Sequence, residues 1–399
     1  AQEGSNDWVD NTLIAAVYSD AVDYLVTEDN GIIRKARRVG LQDRVITLSD
    51  AAMILDGLTD STPTPPPAVQ DVMAHLLRES DPIFIGLRED YRGFDAWLRK
   101  CKLGHRQAWT ISGDTNKYAA ICIVNPEDTP PDGLNGKVLK ICTFKVSEKH
   151  GGMRHGELLL KTVFGYACSN SYDWVFLTTY PKQELLMSFL EDFGFTIHGD
   201  PTSSGEHILI KPMSDQNDNI EQLNPLDYHV RYGPHLAQWS GPDSYIIPIQ
   251  PQYHSLLFPE YERQLELIPG AYPCGNSIRK AYLCHSPCRE ISPGDNLIFY
   301  RSDDWHAIAV HAVAESTLVS CSAEETARYV GKRTVYTLRD IQRLCQQKTL
   351  AILLRQSLIP QKRIQLEELV EVGMLKAHPQ SIAKLPAWAT EWFIQKINQ

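Results

Sequence analysis

The sequence predicts a multidomain chain of mixed α/β and α+β class. Its 399 residues exceed the usual size of one domain. A proline-rich segment at residues 61–67 and a polar one at residues 214–224 interrupt the chain. Between them apolar strands alternate with helices, whereas short strands and Pro-Gly turns follow the second segment. We expect domains at 1–60, 81–213 and 243–355, linkers at 61–80 and 214–242, and a helical tail at 356–399.

Charge is distributed unevenly along the chain, whose formal net charge is −10. Residues 1–31 hold seven acids and no Lys or Arg, whereas residues 331–363 hold eight basic residues and one acid. An acidic cluster can hold divalent metal, and a basic one can follow phosphates. The alternative for each is a solvated face.

Cysteine use and hydropathy predict a cytoplasmic location. None of the nine cysteines forms a C-x-x-C pair, which favours free thiols in a reducing compartment. No apolar run reaches the length of a membrane span, so we expect no membrane partner. The chain does not begin with Met, and we expect it to be part of a longer protein.

Residues 1–60 predict a small α/β piece. An apolar-periodic helix begins near Asp10, a short strand at 24–26 runs into Thr27, Glu28 and Asp29, and a basic helix and a second strand follow. This pattern resembles the C-terminal half of a PIN nuclease domain. The resemblance implies that Asp10 and Asp29 hold Mg²⁺ or Mn²⁺, which activates water for phosphodiester attack. The family's other acidic residues would lie before residue 1. The alternative role of Asp10 is a helix cap.

Residues 137–168 predict a phosphate-binding site. An apolar strand at 138–146 is followed by a turn with Gly151 and Gly152 and then by a helix that starts near Gly156. Glycines let the backbone approach a pyrophosphate, and the first amides of the helix point at the anion.

A second strand–helix unit at residues 174–195 ends at Gly194 and Phe195. Together the two units resemble the acetyl-coenzyme A binding core of the GNAT acyltransferases, over about residues 81–213. The resemblance implies a mixed-sheet α/β domain in which the first strand splays from its neighbour. The family's turn usually reads Gln/Arg-x-x-Gly-x-Gly/Ala. Ending the pattern at Gly156 puts Gly151 and Arg154 in its first and fourth positions, and shifting it two residues back gives Lys149, Gly152 and Arg154, so the chain departs from the pattern in both registers. The tyrosine acid of the family would fall at Leu190, which cannot move a proton.

The GNAT resemblance implies three roles. Backbone amides at the end of the first strand polarise the thioester carbonyl, since a donor fixed where charge develops contributes much of the rate. Amides of the turn and helix start hold the pyrophosphate. The predicted acetyl-coenzyme A residues are Phe144, Lys145, Val146, Gly151, Gly152, Met153, Arg154, His155, Gly156 and Glu157. The candidates for proton transfer are Glu89, Tyr180 and His150.

Residues 243–355 predict a β-rich domain with a different pattern. A proline-broken strand starts at residue 244, Pro293-Gly294-Asp295 precedes an apolar strand, and a basic stretch covers residues 332–336. The combination resembles the ASCH branch of PUA-like barrels and implies a β-barrel with flanking helices that binds RNA or a modified base. The candidate RNA-binding residues are Lys332, Arg333, Arg339 and Tyr336, with Tyr300 and Trp305 as further stacking faces.

Two smaller groups allow alternative chemistry. Cys274, Cys284, His285 and Cys288 supply soft ligands for zinc, although their spacing is not that of a common zinc knuckle. Cys101 and His105 lie four residues apart and could form a dyad, but a buried thiol and a surface histidine fit as well.

The sequence therefore predicts an acetyl-coenzyme A-dependent N-acetyltransferase that acts on an RNA-linked amine, with transfer RNA the favoured partner. This acceptor is inferred from the neighbouring domains and not from the acetyltransferase site. One alternative is transfer to a protein amine. Another is an inactive acetyltransferase in an RNA-binding or nuclease-related protein of a toxin or phage-defence system, with an antitoxin or other protein as partner.

Overall fold

A computed structural model provides the fold of the chain. It describes residues 5–48, 50–52, 69–113, 117–150, 152–215, 223–239, 241–261, 273–357 and 363–397. Two seven-stranded sheets dominate it, and a small two-stranded α/β piece precedes them.

The N-terminal piece alternates helix and strand. Its elements are α1 (Asn6–Tyr18), β1 (Leu25–Val26), α2 (Asn30–Arg38) and β2 (Val45–Ile46). The two strands are parallel, and Val17, Ile32, Ala36 and Val45 form the core between helices and strands. The predicted order of elements is present, but this order is shared by many α/β folds and leaves the PIN resemblance a prediction.

The first large sheet is mixed, with strand order β3-β4-β5-β6-β7-β9-β8. Its elements are β3 (Val69–Met73), α3 (Ile85–Asp90), α4 (Phe94–Leu103), β4 (Gln107–Ser112), β5 (Tyr118–Glu127), β6 (Val138–Val146), α5 (His155–Ser169), β7 (Trp174–Thr179), α6 (Glu184–Glu191), β8 (Thr196–Ile197) and β9 (His207–Pro212). Only β6 and β7 are parallel among the strand pairs described in this sheet.

Helix α5 is held against this sheet by one apolar face. Leu159, Leu160, Val163 and Phe164 recur at helical spacing and are all fully buried in the core with strand residues such as Leu139. This spacing is the period-3.6 pattern of a helix that covers a sheet. The predicted strand–turn–helix unit is therefore confirmed, and packing fixes the helix start next to the carboxyl end of β6.

The second large sheet follows the order β11-β14-β13-β12-β10-β16, and β15 pairs with β13. Its strands are β10 (Ser244–Ile249), β11 (Arg279–Cys284), β12 (Asn296–Arg301), β13 (Ala307–Ser320), β14 (Thr349–Gln356), β15 (Ile364–Gln365) and β16 (Ala383–Lys384). Its helices are α7 (Pro225–Tyr232), α8 (Pro251–Leu257), α9 (Pro273–Asn276), α10 (Ala323–Val330), α11 (Leu338–Leu344), α12 (Leu366–Glu371) and α13 (Ala387–Ile397). Within the described ranges no ladder joins β11 to β10, and the Tyr282 hydroxyl donates across that gap to the Pro248 carbonyl at 2.6 Å. The predicted barrel is thus not closed by a strand ladder.

The element bounds differ from the predicted linkers and tail. Strand β3 lies inside the predicted linker 61–80 because its backbone pairs with β4. Helix α7 lies inside the predicted linker 214–242, and it is held against the fold by the buried side chains of Tyr228, His229 and Tyr232. The tail 356–399 contains β15 and β16, which pair with β13 and β10. Burial and backbone pairing, which local composition does not reveal, form these elements.

Candidate active site

The parallel strands β6 and β7 separate soon after they begin. They are paired from Val138 opposite Trp174 to Lys140 opposite Phe176, over three residue pairs. Beyond Lys140, β6 stays paired only with β5, as far as Val146. The side of β6 that faces β7 is therefore free of strand partners over residues 141–146.

A β-bulge accompanies this separation. In the ladder between β5 and β6, Ile123 pairs with Thr143 and Val124 with Ile141, which leaves Cys142 as an extra residue on β6. A bulge bends its strand and increases the local twist. Cys142 follows Lys140 by two residues, so the bend begins where the pairing with β7 ends.

A cleft of about 430 Å³ occupies the space between the separated strands. Apolar and aromatic side chains line it together with a few charged ones, as in ordinary small-molecule sites. The segment of α3 and α4 supplies Leu87, Asp90, Tyr91, Phe94 and Trp97. Strand β6 supplies Cys142, Thr143, Phe144 and Lys145. The remaining lining comes from β7 (Leu177, Thr178), from Gln183 and Leu186 at the start of and within α6, and from Glu206 in the loop before β9.

Glu206 is a carboxylate of the cleft that is held by hydroxyl groups. Its Oε1 accepts from Thr178 Oγ1 at 3.3 Å and its Oε2 from Ser204 Oγ at 3.0 Å. Asp90, by contrast, forms an ion pair with Lys182 at 2.6 Å and accepts from Gln183 at 2.9 Å. Glu206 is thus oriented without being neutralised by a neighbouring cation in these contacts.

Tyr91 supplies a phenol to the same cleft. Burial raises the pKa of Tyr91 to about 12, and the Glu206 and Asp90 carboxylates add to the rise. Its ring packs against Tyr180, with 5.3 Å between the ring centroids. The phenol of Tyr91 is therefore protonated at neutral pH, like that of an ordinary tyrosine, and is a weaker acid than one.

The turn after β6 is shaped for close approach to the N-terminus of α5. Gly152 has φ of +78° and Arg154, the residue before the helix, has φ of +58°, both in the left-handed region. Arg154 places no side-chain cap on the helix. The first amides of a helix have no intrahelical partner, and they carry its positive dipole end. This end of α5 can therefore bind an anion.

Residues of the second sheet hold the turn in place. Asn276 Nδ2 donates to the Met153 carbonyl at 2.8 Å. The buried Glu157 accepts from the amide of Ile278 at 2.7 Å and from Arg154 Nη1 at 2.8 Å. Lys161, one turn further along α5, donates to the Gly275 carbonyl at 3.2 Å. The side chain of Glu157 is thus used for docking between the sheets.

A second cavity, of about 320 Å³, lies at this turn. Its walls come from three parts of the chain. The N-terminal piece supplies Arg37, Asp43 and Asp50, the turn and α5 supply Gly152, Arg154, His155, Gly156 and Glu157, and the second sheet and its helices supply Arg279, Lys332 and Arg333. Asp43 forms an ion pair with Arg333, and Asp50 forms one with Lys332.

His155 is buried beside this cavity. Neither ring nitrogen has a hydrogen-bond partner within the described part of the chain. Burial lowers the pKa of His155 to about 4, and the neighbouring His150 adds to the decrease. His155 is therefore neutral at neutral pH and adds no positive charge to the turn.

The predicted proton-transfer residues lie apart from one another. Glu89 is exposed and is not in the lining of the cleft. Tyr180 is half-buried behind Tyr91, and His150 lines the second cavity. The structure brings Glu206 and Tyr91 together instead. Glu206 lies in a polar loop with no periodic pattern, so the sequence carries no signal for it. The sequence signal for Tyr91 is weak and consists of its place in the short break between α3 and α4.

The predicted acetyl-coenzyme A residues fall on both cavities. Phe144 and Lys145 line the cleft, whereas Val146, Gly152 and the start of α5 line the second cavity. Gly151 lies outside the described residues. The segment from β6 to the start of α5 thus supplies both the free edge of β6 and the N-terminus of a helix, in the order that the sequence predicts.

The predicted RNA-binding residues are also separated. Lys332 and Arg333 are buried in ion pairs with the N-terminal piece. Arg339 is exposed on α11. Tyr336 packs against Tyr253, with 5.0 Å between the centroids, and lines a third cavity of about 860 Å³ beside the gap between β10 and β11. Tyr300 is fully buried, and Trp305 packs against the Arg301 guanidinium.

The predicted metal ligands have other roles. Asp29 caps α2 by accepting from the amides of Gly31 and Ile32, at 2.7 and 3.2 Å. Asp10 lies within α1 and pairs with Lys35 at 2.8 Å, so its suggested role as a helix cap is wrong; Ser5 is the cap. Among the residues that the structure describes, no group of three or more His, Cys, Asp or Glu side chains could hold a metal, Cys274 and its neighbours included.

No family model and no curated protein matches the sequence of the chain. Similar solved structures include an ASCH protein from Zymomonas mobilis (14% identity, TM-score 0.30, 38% of this chain and 94% of the other). They also include a GNAT family acetyltransferase from Elizabethkingia anophelis with acetyl-CoA bound (14% identity, TM-score 0.29, 37% and 99%) and one from Staphylococcus aureus (12% identity, TM-score 0.30, 37% and 100%). At TM-scores below 0.5 these likenesses carry no conclusion on function. None of the helices in the described ranges is long and apolar enough to cross a membrane.

Proposed function

We propose that this chain transfers an acetyl group from acetyl-coenzyme A to an amine. The observation that carries the proposal is the separation of β6 from β7 after three residue pairs. It leaves the edge of β6 free beside a cleft, and the same strand leads through the turn to the N-terminus of α5. An extended ligand arm can pair with a free strand edge, while its phosphates meet the helix start.

The residues present fit such a ligand. Gly156 at the start of α5 leaves room that a side chain would fill, because a Cβ there would lie 3.2 Å from Phe189 Cζ. Gly152 allows the backbone to turn at positive φ. Acetyl-coenzyme A, when bound, supplies an acyl group activated as a thioester.

Glu206 and Tyr91 supply the proton transfers of the proposed reaction. Glu206 takes the proton that the amine nitrogen loses when it bonds to the acyl carbon, because its carboxylate is oriented by two hydroxyls. The phenol of Tyr91, which lines the same cleft as Glu206, gives a proton to sulfur as the carbon–sulfur bond breaks. Backbone amides of Phe144 to Val146 polarise the carbonyl.

A calorimetric titration with acetyl-coenzyme A tests the binding site. We expect a dissociation constant of micromolar order for the unmodified chain, about −8 kcal/mol. Gly156→Glu adds a carboxylate to the first turn of α5, in the lining of the second cavity, and should weaken binding at least tenfold. Gly165→Glu is the matched control in the same helix, because a Cβ at Gly165 meets nothing within 4 Å. Equal affinities in the two variants would contradict the site, and no binding by the unmodified chain would contradict the function.

We propose an RNA-linked amine, such as the amino group of an aminoacylated transfer RNA, as the acceptor. The support is the third cavity, where Tyr336, Tyr253 and Tyr282 offer ring faces for bases. Tyr336→Ala and Arg339→Glu should weaken retention of total transfer RNA, with a reduced salt dependence for the second variant. Radiolabelled acetyl groups should enter aminoacylated and not deacylated transfer RNA. Labelling of protein amines alone would favour the protein acceptor instead.

A further inference from the structure

The ion pair with Asp43 uses only part of the hydrogen-bonding capacity of the Arg333 guanidinium. Arg333 belongs to the 3₁₀ turn of residues 331–333, after α10, and its side chain lines the second cavity beside the N-terminus of α5. Only 2% of the residue is exposed. A buried guanidinium needs hydrogen-bond acceptors for its five N–H groups.

Its hydrogen bonds are incomplete. Nη2 donates to Asp43, whereas Nη1, also buried, has no partner among the described residues. Buried side-chain donors are nearly always hydrogen-bonded. An unpaired buried donor in the wall of a cavity therefore indicates that a ligand supplies the acceptor.

The charges around the cavity favour an anion as that acceptor. The Asp43 carboxyl illustrates this: burial would raise its pKa, but Arg333, Arg279 and Arg154 outweigh burial and hold it below the usual value. Of these cations, Arg279 is already engaged by Glu315 at 2.8 and 3.2 Å. Among the described residues Arg333 has one acceptor, Asp43, and its Nη1, on the other side of the guanidinium, has none.

We propose that Arg333 binds a phosphate group of the coenzyme through Nη1, while Nη2 keeps its contact with Asp43. The phosphate site at the start of α5 is then completed by a residue 179 positions further along the chain than Arg154, the residue before α5. This inference rests on the proposed acetyltransferase function. A planar guanidinium fork can serve a carboxylate and a phosphate at once, and a helix start supplies the remaining donors.

Asp43 and Asp50 lie in the same cavity wall and repel a phosphate. Their ion pairs with Arg333 and Lys332 reduce this repulsion, because each negative charge has its own cation. Removing the charge of Asp43 alone should therefore strengthen phosphate binding, provided that Arg333 stays in place. Inorganic pyrophosphate should compete with the coenzyme for the phosphate site at Arg333.

The experiment compares acetyl-coenzyme A with S-acetylpantetheine, which lacks the diphosphate and the nucleotide. Calorimetry should show roughly a tenfold to hundredfold loss of acetyl-coenzyme A affinity in Arg333→Gln, as for a lost hydrogen bond to a charged group. The affinity for S-acetylpantetheine should not change. Arg343→Gln, at an exposed arginine of α11, is the matched control.

A double variant guards against a failure to fold. Arg333→Gln leaves Asp43 without its cation, so Asp43→Asn is combined with it and compared with Asp43→Asn alone. The double variant should bind acetyl-coenzyme A at least tenfold more weakly than the single one. The proposal is overturned if the two bind equally, if S-acetylpantetheine affinity falls as much, or if pyrophosphate binds without competing with the coenzyme. Absence of acetyl-coenzyme A binding in the unmodified chain would overturn the acetyltransferase proposal itself.

Discussion

The two large sheets each contain one parallel strand pair in the part of the chain that the structure describes, and the two pairs differ in extent. β6 and β7 are paired over three residues and then separate. β10 and β12 are paired over all six residues of each strand, from Ser244 opposite Asn296 to Ile249 opposite Arg301. A cleft lies between the strands of the first pair only.

The difference follows from where the bulges lie and what covers the strands. In the first sheet one extra residue, Cys142, is on a strand of the parallel pair, and a second, Ala119, is on β5. In the second sheet the register shifts place the extra residues on β13, at Ala309 and Glu315, outside the parallel pair. Both faces of β10 and β12 are covered by core side chains. A bulge on a strand whose face is partly open makes a binding cleft, whereas full burial keeps a parallel pair closed.

The largest expected effect tests whether chemistry occurs in the open pair. Glu206→Gln should lower the rate of acetyl transfer by about 10²–10⁴-fold, because a positioned base contributes this much. Acetyl-coenzyme A binding, measured by calorimetry, should persist. If Glu89→Gln lowers the rate more than Glu206→Gln, the base predicted from sequence is right and the cleft assignment is wrong.

The next effect concerns the charged bulge residue of the second sheet. Glu315 lies 2.8 Å from Arg279 and 2.9 Å from Arg355, measured between side-chain atoms. Burial would raise its pKa, but these arginines outweigh burial and lower it to about 2. Glu315→Gln should reduce the free energy of unfolding by roughly 3–5 kcal/mol, because two buried cations lose their partner. Glu391→Gln, at an exposed glutamate of α13, is the control.

The same residue sets a dependence on pH. A carboxyl whose pKa is lower in the folded than in the unfolded chain stabilises the fold above the unfolded pKa, and this contribution is lost as pH falls through the folded value. The free energy of unfolding, measured with urea, should therefore fall between pH 5 and pH 2 by less in Glu315→Gln than in the unmodified chain, with a difference of the order of 3 kcal/mol. An unchanged slope in the variant would contradict the assignment.

The smallest effect compares one residue from each parallel pair. Ile247 of β10 is fully buried, and Ile247→Ala should lower the free energy of unfolding by about 2–5 kcal/mol. Lys145 of β6 lines the cleft, and Lys145→Ala should change it by less than about 0.5 kcal/mol. Chemical denaturation measures both. Similar losses would show that the open region of β6 is packed as tightly as β10.

Local patterns predicted much of the first sheet. Apolar positions at strand and helix spacing predicted β6, α5 and β7, and the glycines predicted the turn between them. The bulge at Cys142 was not predictable, because the strand is equally apolar before and after it. Glu206 was missed for a related reason: only the pairing of β7 with β9 brings its loop beside Thr178.

The second sheet shows the limits of charge patterns. The basic segment of residues 331–363 predicted phosphate contacts for Lys332 and Arg333 on an RNA surface, but their side chains are paired with Asp50 and Asp43, 282 and 290 residues away in the chain. Arg355, of the same segment, is buried against Glu315. A count of charges along the chain does not reveal which of them neutralise one another after folding.

Strand and helix periodicity, glycine positions and the strand–turn–helix order are local properties, and the amino-acid sequence determined them because each depends on residues a few positions apart. The bulge at Cys142 that accompanies the opening between β6 and β7, the assembly of the cleft around Glu206 and Tyr91, and the burial of Arg333 beside the start of α5 were decided by the tertiary structure alone. These features depend on contacts between distant segments, whose free energies come from burial and charge pairing that no local pattern contains.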